Sequence, residues 1–349
     1  MKNKLILIFL ILAVIFLSGC ISIGVPSAPI TVDEKTENDI ADILTVENVA
    51  TYPSQPIMPD SKFTFSFDVK NIHNSAIARC LHVRLYDHSI FSFQNPANNN
   101  DVAAGKKCGY NNQSNPEEVV NKGDMFPGTT TRINYYLKSP SANEISNLRI
   151  SPKINYRFTY DFTANTLYQI VVADGTYLAN MQQAGKSVTA EPVNSIGPGP
   201  IKVYISLMNK DRMVLAGSTG QIKIEIKNEG SGASSSDWGG AIKAKSLTIG
   251  IPKNITSDID FSNAEGNFEK VSCPEDFDPN YYECVTNNEK IHLYQGSSAP
   301  LIFRFNTKEI NGPGKPEVPY RIYTFKAKLD YQYLIDRSYV IEVNPHVME

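Results

Sequence analysis

Apolar and polar residues alternate with a period of two through most of the chain, and that period marks strands with one buried face. Between Lys62 and Lys70, Phe63, Phe65, Phe67 and Val69 fall on one side and Thr64, Ser66 and Asp68 on the other. Leu81, Val83 and Leu85 alternate with His82 and Arg84, and Ile133, Tyr135 and Leu137 follow a turn at Pro127-Gly128. Tyr156, Phe158, Tyr160 and Phe162 alternate strictly, and Leu167 to Ala173 closes the set. No helical period of useful length interrupts the series. Short alternating strands separated by turn residues predict an all-β chain of antiparallel sheets.

The second half repeats this order. Ile201 to Tyr204 opens it as Ile43 to Val46 opens the first half, and Ile222, Ile224 and Ile226 lead to Lys227-Asn228 as the earlier strand leads to Lys70-Asn71. Ala244 to Ile251 keeps the apolar phase of Ala78 to Leu85, and Gly296 stands near the place of Gly128, ahead of Leu301, Phe303 and Phe305. Phe325, Ala327 and Leu329, then Tyr339 and Ile341, close the copy. Two copies of one sandwich are predicted: domain 1 over 42–175, a linker over 176–199 and domain 2 over 200–345. Pro198-Gly199-Pro200 in the linker has the composition of a semi-stiff hinge. A strand ending in Lys-Asn, then a turn and an apolar strand, resembles the cell-adhesion-related immunoglobulin-like domains of archaeal and bacterial surface proteins, from about residue 43 to 343. The resemblance implies two tandem immunoglobulin-like antiparallel β-sandwiches. The antibody pattern of Cys, Trp and Cys is absent, because the single tryptophan, Trp238, lies in the glycine- and serine-rich loop 230–240. A fold of this kind carries no function by itself.

The chain begins with Lys2 and Lys4, an apolar run from Leu5 to Leu17, and the sequence Leu17-Ser18-Gly19-Cys20. A positive end, a short apolar middle and small residues before a cleavage point have the form of an export signal. The last four residues resemble the lipobox of bacterial and archaeal lipoproteins. That resemblance implies that 1–20 is a signal peptide, that a diacylglycerol-type lipid is attached to the Cys20 thiol, and that Cys20 becomes the new amino terminus. The alternative is an uncleaved anchor helix, since no charge occurs from Leu5 to Val25 and a span needs about 20 apolar residues. Either way the remainder is expected on the extracytoplasmic face of the cell membrane. Residues 21–41 are polar, with Pro26 and Pro29, and read as a flexible tether.

In 349 residues, Lys+Arg 33 against Asp+Glu 36 leaves a net charge of −3, which is not the basic balance that phosphate binding requires. Nucleic acid is therefore not expected as a partner. With Cys20 assigned to lipid, Cys80, Cys108, Cys273 and Cys284 leave an even number of cysteines in an exported chain, which fits two disulfides. Nearest-neighbour pairing, Cys80 to Cys108 and Cys273 to Cys284, keeps each bridge inside one expected domain, although four cysteines allow three connectivities.

Motifs for catalysis are missing. The sequence has no GxSxG elbow, no HExxH and no phosphate-cradling glycine loop. His82, on the polar phase of its strand, and His88, just beyond it, offer a pair of metal ligands but read as solvated surface residues. Glu275, Asp276 and Asp278, in the acidic segment between Cys273 and Cys284, offer carboxylates to calcium without matching a calcium-loop spacing. No cofactor is expected. Trp238 is a candidate contact residue on its loop, with Tyr281 and Tyr282 as candidates for the same end. Asn112-Gln113-Ser114 and Asn254-Ile255-Thr256 are acceptor triplets for N-glycosylation. The expectation is a non-enzymatic, lipid-anchored surface protein whose two sandwiches present loops to a protein or glycan of the cell envelope. The alternative is an accessory ligand-binding lipoprotein of a transport or secretion system, which requires a concave apolar pocket.

Overall fold

A computed structural model describes residues 42–94, 119–185, 194–208, 213–234, 241–243, 247–260, 271–272, 279–286, 290–311 and 318–345. The expected signal or anchor helix and the tether lie outside them. The first half contains β1 (Leu44–Tyr52), β2 (Lys62–Asn71), β3 (Ala78–Asp87), β4 (Ser92–Phe93), β5 (Val119–Met125), β6 (Thr130–Lys138) and β7 (Lys153–Ala173), followed by helix α1 (Gly175–Gln183). The second half contains β8 (Asn194–Ile196), β9 (Ile201–Leu207), β10 (Met213–Leu215), β11 (Thr219–Asn228), β12 (Ala233–Ser234), β13 (Ala241–Lys243) and β14 (Leu247–Pro252). It continues with β15 (Thr256–Asp260), β16 (Val271–Ser272), β17 (Tyr281–Thr286), β18 (Lys290–His292), β19 (Leu301–Thr307) and β20 (Tyr320–Val340). The described fold is all-β and sandwich-like. Its strands pair antiparallel except β10, which runs parallel to β7.

Each half has its own four-stranded sheet, ordered β1-β2-β6-β4 in the first and β15-β19-β11-β9 in the second. Both pack on one larger sheet, whose main path is β16-β17-β14-β20-β7-β3-β5. In the first half Phe67 stacks on Tyr156 at 4.5 Å between ring centres, and Phe65 stacks on Tyr339 at 5.5 Å. In the second, Phe305 meets Phe325 at 5.4 Å. A single hydrophobic cluster runs through both halves, from Ile43 to Val343.

The larger sheet is held by two strands of unusual length. β7 and β20 have 21 residues each and pair over their whole length in unbroken register, from Tyr320 opposite Ala173 to Val340 opposite Lys153. At about 3.3 Å per residue each is roughly 70 Å long. The sequence pattern suggests separate strands at Tyr156–Phe162 and Leu167–Ala173. Ala164 and Thr166 keep the buried phase between them, so the alternation continues across the join. The first part of β7 pairs with β3 and the second part with β8 and β10. β20 pairs with β14 through Lys326 to Leu329. Strands from both halves therefore share one sheet.

Described residues at both ends of the expected linker, 176–185 and 194–199, have defined structure. Helix α1 begins at the cap residue Asp174, whose carboxylate accepts from the Tyr177 N–H at 3.0 Å. The expected hinge is packed down. Gly199, at φ +119°, leaves so little room that a Cβ would lie 2.6 Å from a ring carbon of Phe162 and 2.9 Å from the Tyr331 hydroxyl. Buried Pro200 accepts from the Glu229 N–H at 2.7 Å.

The repeat extends to individual hydrogen bonds. Asn71 and Asn228, which end β2 and β11, each use Oδ1 to accept the N–H two residues on, from His73 at 3.0 Å and from Gly230 at 3.1 Å. Each donates its amide to a nearby carbonyl, Ala76 at 2.8 Å or Gly232 at 2.8 Å. The backbone N–H of each asparagine also donates to a turn carbonyl, Asn71 to Thr129 at 2.9 Å and Asn228 to Gly296 at 2.7 Å.

Candidate functional site

One cluster of buried hydroxyls lies at the waist, where the sheet passes from one half to the other. β20 carries Tyr331 and Tyr333 on its buried face, opposite Phe162 and Tyr160 of β7. The Tyr331 hydroxyl accepts from the Ile201 N–H at 3.2 Å. The Tyr333 hydroxyl accepts from the Gly232 N–H at 2.7 Å and donates to Asn228 Oδ1 at 3.2 Å. Burial pushes the phenols of Tyr160, Tyr331 and Tyr333 well above their ordinary value, so they stay neutral. Tyr331 and Tyr333 act as hydrogen-bonding props, whereas the buried Tyr160 hydroxyl has no hydrogen-bond partner of ordinary geometry among the described residues. Asp42 reaches the same loop and accepts from the Ser231 N–H at 3.1 Å. No sequence motif announces this cluster, because it depends on the register of β7 against β20.

Beside it, Lys202 is buried and its ammonium lies 3.0 Å from Glu229 Oε2. The Tyr204 hydroxyl donates to the other carboxylate oxygen, and Lys227 sits over the Tyr204 ring at 5.0 Å. Burial alone would raise the Glu229 carboxyl, but hydrogen bonds from Tyr204 and Lys202 outweigh it and hold the group below its usual value. Tyr204 is pushed up to about 12, by burial first and by Glu229 second. The arrangement is a charged clasp on the edge strand β9. Its groups are already satisfied by one another.

The residues singled out from sequence are scattered. Cys20, Cys108, Trp238, Asn112, Cys273 and the calcium candidates Glu275, Asp276 and Asp278 all lie outside the described residues. Among the described residues, no group of three or more His, Cys, Asp or Glu is placed to hold a metal ion. Tyr281 and Tyr282 lie on β17, where they are half-buried and partnered. Lys326 stands 3.7 Å from the centre of the Tyr281 ring, and Lys253 stands 5.4 Å from that of Tyr282. His82 sits on β3 opposite Thr159, whereas His88 bonds the Phe91 carbonyl and meets Phe93 edge-on at 5.0 Å.

Cys80 and Cys284 are each disulfide-bonded. Cys80 lies in a bulge of β3 at φ +53°, and buried Cys284 lies on β17. In the sheet order β14, β20 and β7 separate the two strands, a spacing of roughly 19 Å at about 4.8 Å per strand. A disulfide spans at most about 7 Å between Cα atoms. The two bonds are therefore distinct, and their partners lie outside the described residues. Asn254 is exposed on the turn between β14 and β15. No helix among the described residues is long and apolar enough to cross a membrane.

The chain matches no known family, and no curated protein matches it. Among solved structures, the crystal structure of red sea bream transglutaminase aligns with 87% of this chain and 31% of that one, at 7% identity and a TM-score of 0.16. A likeness of that size carries no argument about fold or activity.

Proposed function

We propose that the protein is a non-enzymatic, lipid-anchored surface protein in which two immunoglobulin-like sandwiches form one stiff scaffold for a protein or glycan partner in the cell envelope. The observation that carries this reading is the β7–β20 frame, in which 21-residue strands pair end to end and belong to both halves. Such a frame suits a part whose task is to hold binding loops at a fixed separation, because a bend at the waist would break ladder hydrogen bonds and expose the tyrosine cluster. The repeated Asn71 and Asn228 turns support descent of both halves from one immunoglobulin-like unit.

The signal-like start and the lipobox-like Leu17-Ser18-Gly19-Cys20 support attachment to membrane lipid through Cys20 on the extracytoplasmic side. Oxidised Cys80 and Cys284 agree with an oxidising compartment. Their bridges go to Cys108 and Cys273 respectively. A single acyl chain binds a bilayer only marginally, so the attached lipid carries two.

Replacing Cys20 tests the anchor. In Cys20→Ser the protein is expected to leave the membrane fraction or to keep its signal, with a mass larger by the uncut segment. Unchanged fractionation together with an unchanged mature mass overturns the lipid assignment. Cross-linking on intact cells followed by mass spectrometry then identifies the envelope partner; finding only cytosolic neighbours overturns the surface reading.

A further inference from the structure

We infer that Asn254 carries an N-linked glycan and that the glycan is added before the second half folds. The proposal rests on the export reading above, since the transfer takes place outside the cytoplasm. Asn254-Ile255-Thr256 is an acceptor triplet, and such triplets serve on surface turns of exported chains. Pro252, Lys253, Asn254 and Ile255 form a β-turn closed by the Ile255 N–H donating to the Pro252 carbonyl at 3.2 Å. Asn254 occupies the third position of that turn. Its side chain is exposed, while Pro252, Ile255 and Thr256 around it are buried. A bulky polar glycan on Asn254 Nδ2 therefore meets solvent and displaces nothing from the core.

The order of events follows from the other end of the triplet. Thr256 is fully buried on β15, paired with Thr307 of β19. Ile255 is buried, and its carbonyl accepts from the Lys308 N–H at 2.8 Å. On the other side of the turn, Lys253 donates to the Asn280 carbonyl at 2.9 Å. An enzyme that reads the hydroxyl residue as well as the asparagine finds only the asparagine accessible once these bonds are made. The triplet is readable only in a chain that has not yet closed the β14–β15 turn. The donor is a lipid-linked oligosaccharide. The Asn254 amide nitrogen attacks its anomeric carbon, a C–N bond forms, and the C–O bond to phosphate breaks. The lipid phosphate or pyrophosphate leaves with the electron pair, and the amide loses one proton to the transferase. No oxidant or reductant is needed.

The test is peptide mapping by mass spectrometry of the chain purified from the membranes of its own cells. An oligosaccharide mass on peptides spanning residue 254 is expected, lost in Asn254→Gln and retained in Thr256→Ser. Bare Asn254 on a chain that surface proteolysis of intact cells shows to be exported overturns this site and leaves the export reading standing. Recovery of the chain from the cytosol overturns the export reading and the site with it. For the order, unmodified protein is incubated with native membranes supplying transferase and donor, either folded or after reduction and unfolding in urea. Modification of the unfolded chain alone is expected; equal modification of both overturns the proposed order.

Discussion

Removing the hydroxyl of Tyr331 or Tyr333 probes the waist with little change in packing. In Tyr331→Phe the Ile201 N–H loses its acceptor at 3.2 Å in a position with no exposure. Leaving a buried donor unsatisfied costs about 1–3 kcal/mol, and nothing at a fully buried position lets water repair the loss. In Tyr333→Phe the Gly232 N–H loses its acceptor at 2.7 Å, while Asn228 Oδ1 keeps the Gly230 N–H at 3.1 Å. Gly232 is only half-buried, so water can reach it and the expected cost is about 1–2 kcal/mol. The rings of the two tyrosines are 6.4 Å apart, close enough that the double variant will depart from additivity by about 0.5 kcal/mol or more. Urea unfolding monitored by circular dichroism gives the three free energies. For a chain of this size each kcal/mol also lowers Tm by about 2 °C. Losses below about 0.5 kcal/mol in both single variants would refute the claim that these hydroxyls brace the waist.

Two further outcomes follow from the same region. In Gly232→Ala the new Cβ would stand 2.1 Å from the Leu334 carbonyl oxygen; because that atom is backbone, the strand must move, and a loss of about 3 kcal/mol in the same urea assay is expected. Burial holds Tyr156 up at about 12 against an ordinary 10.0 and raises Tyr160, Tyr331 and Tyr333 further. A folded-state value above the unfolded one gives stability that is complete below pH 10 and lost as pH rises through the folded value. Stability should therefore be level up to about pH 9 and then fall by about 1.4 kcal/mol per pH unit for each tyrosine kept neutral. A flat profile between pH 10 and 12 would contradict their burial.

Much of the fold was legible in the alternation, because a strand with one buried face writes its period directly into the sequence. The triplets Phe63/Phe65/Phe67 and Ile222/Ile224/Ile226 lie where the pattern puts them, on the inner strands β2 and β11. The length of β7 and β20 was less plain. Ala164 and Thr166 are weak apolar signals, yet both are buried in phase with Tyr160 and Tyr168. Helix α1 left no helical stripe because none of its residues is fully buried. The polar waist was invisible for a different reason. Tyr333 is far in sequence from Gly232 and Asn228 and meets them only through the crossing of β20 with the turn after β11.

The central claim is that both halves stand on one frame and unfold as one. Hydrogen-exchange mass spectrometry across a guanidinium series measures this most directly, following peptides from β2 in the first half and β11 in the second. The shared sheet predicts that both sets lose protection at the same midpoint with the same slope. Full exchange of one set at a guanidinium concentration where the other remains protected would contradict it.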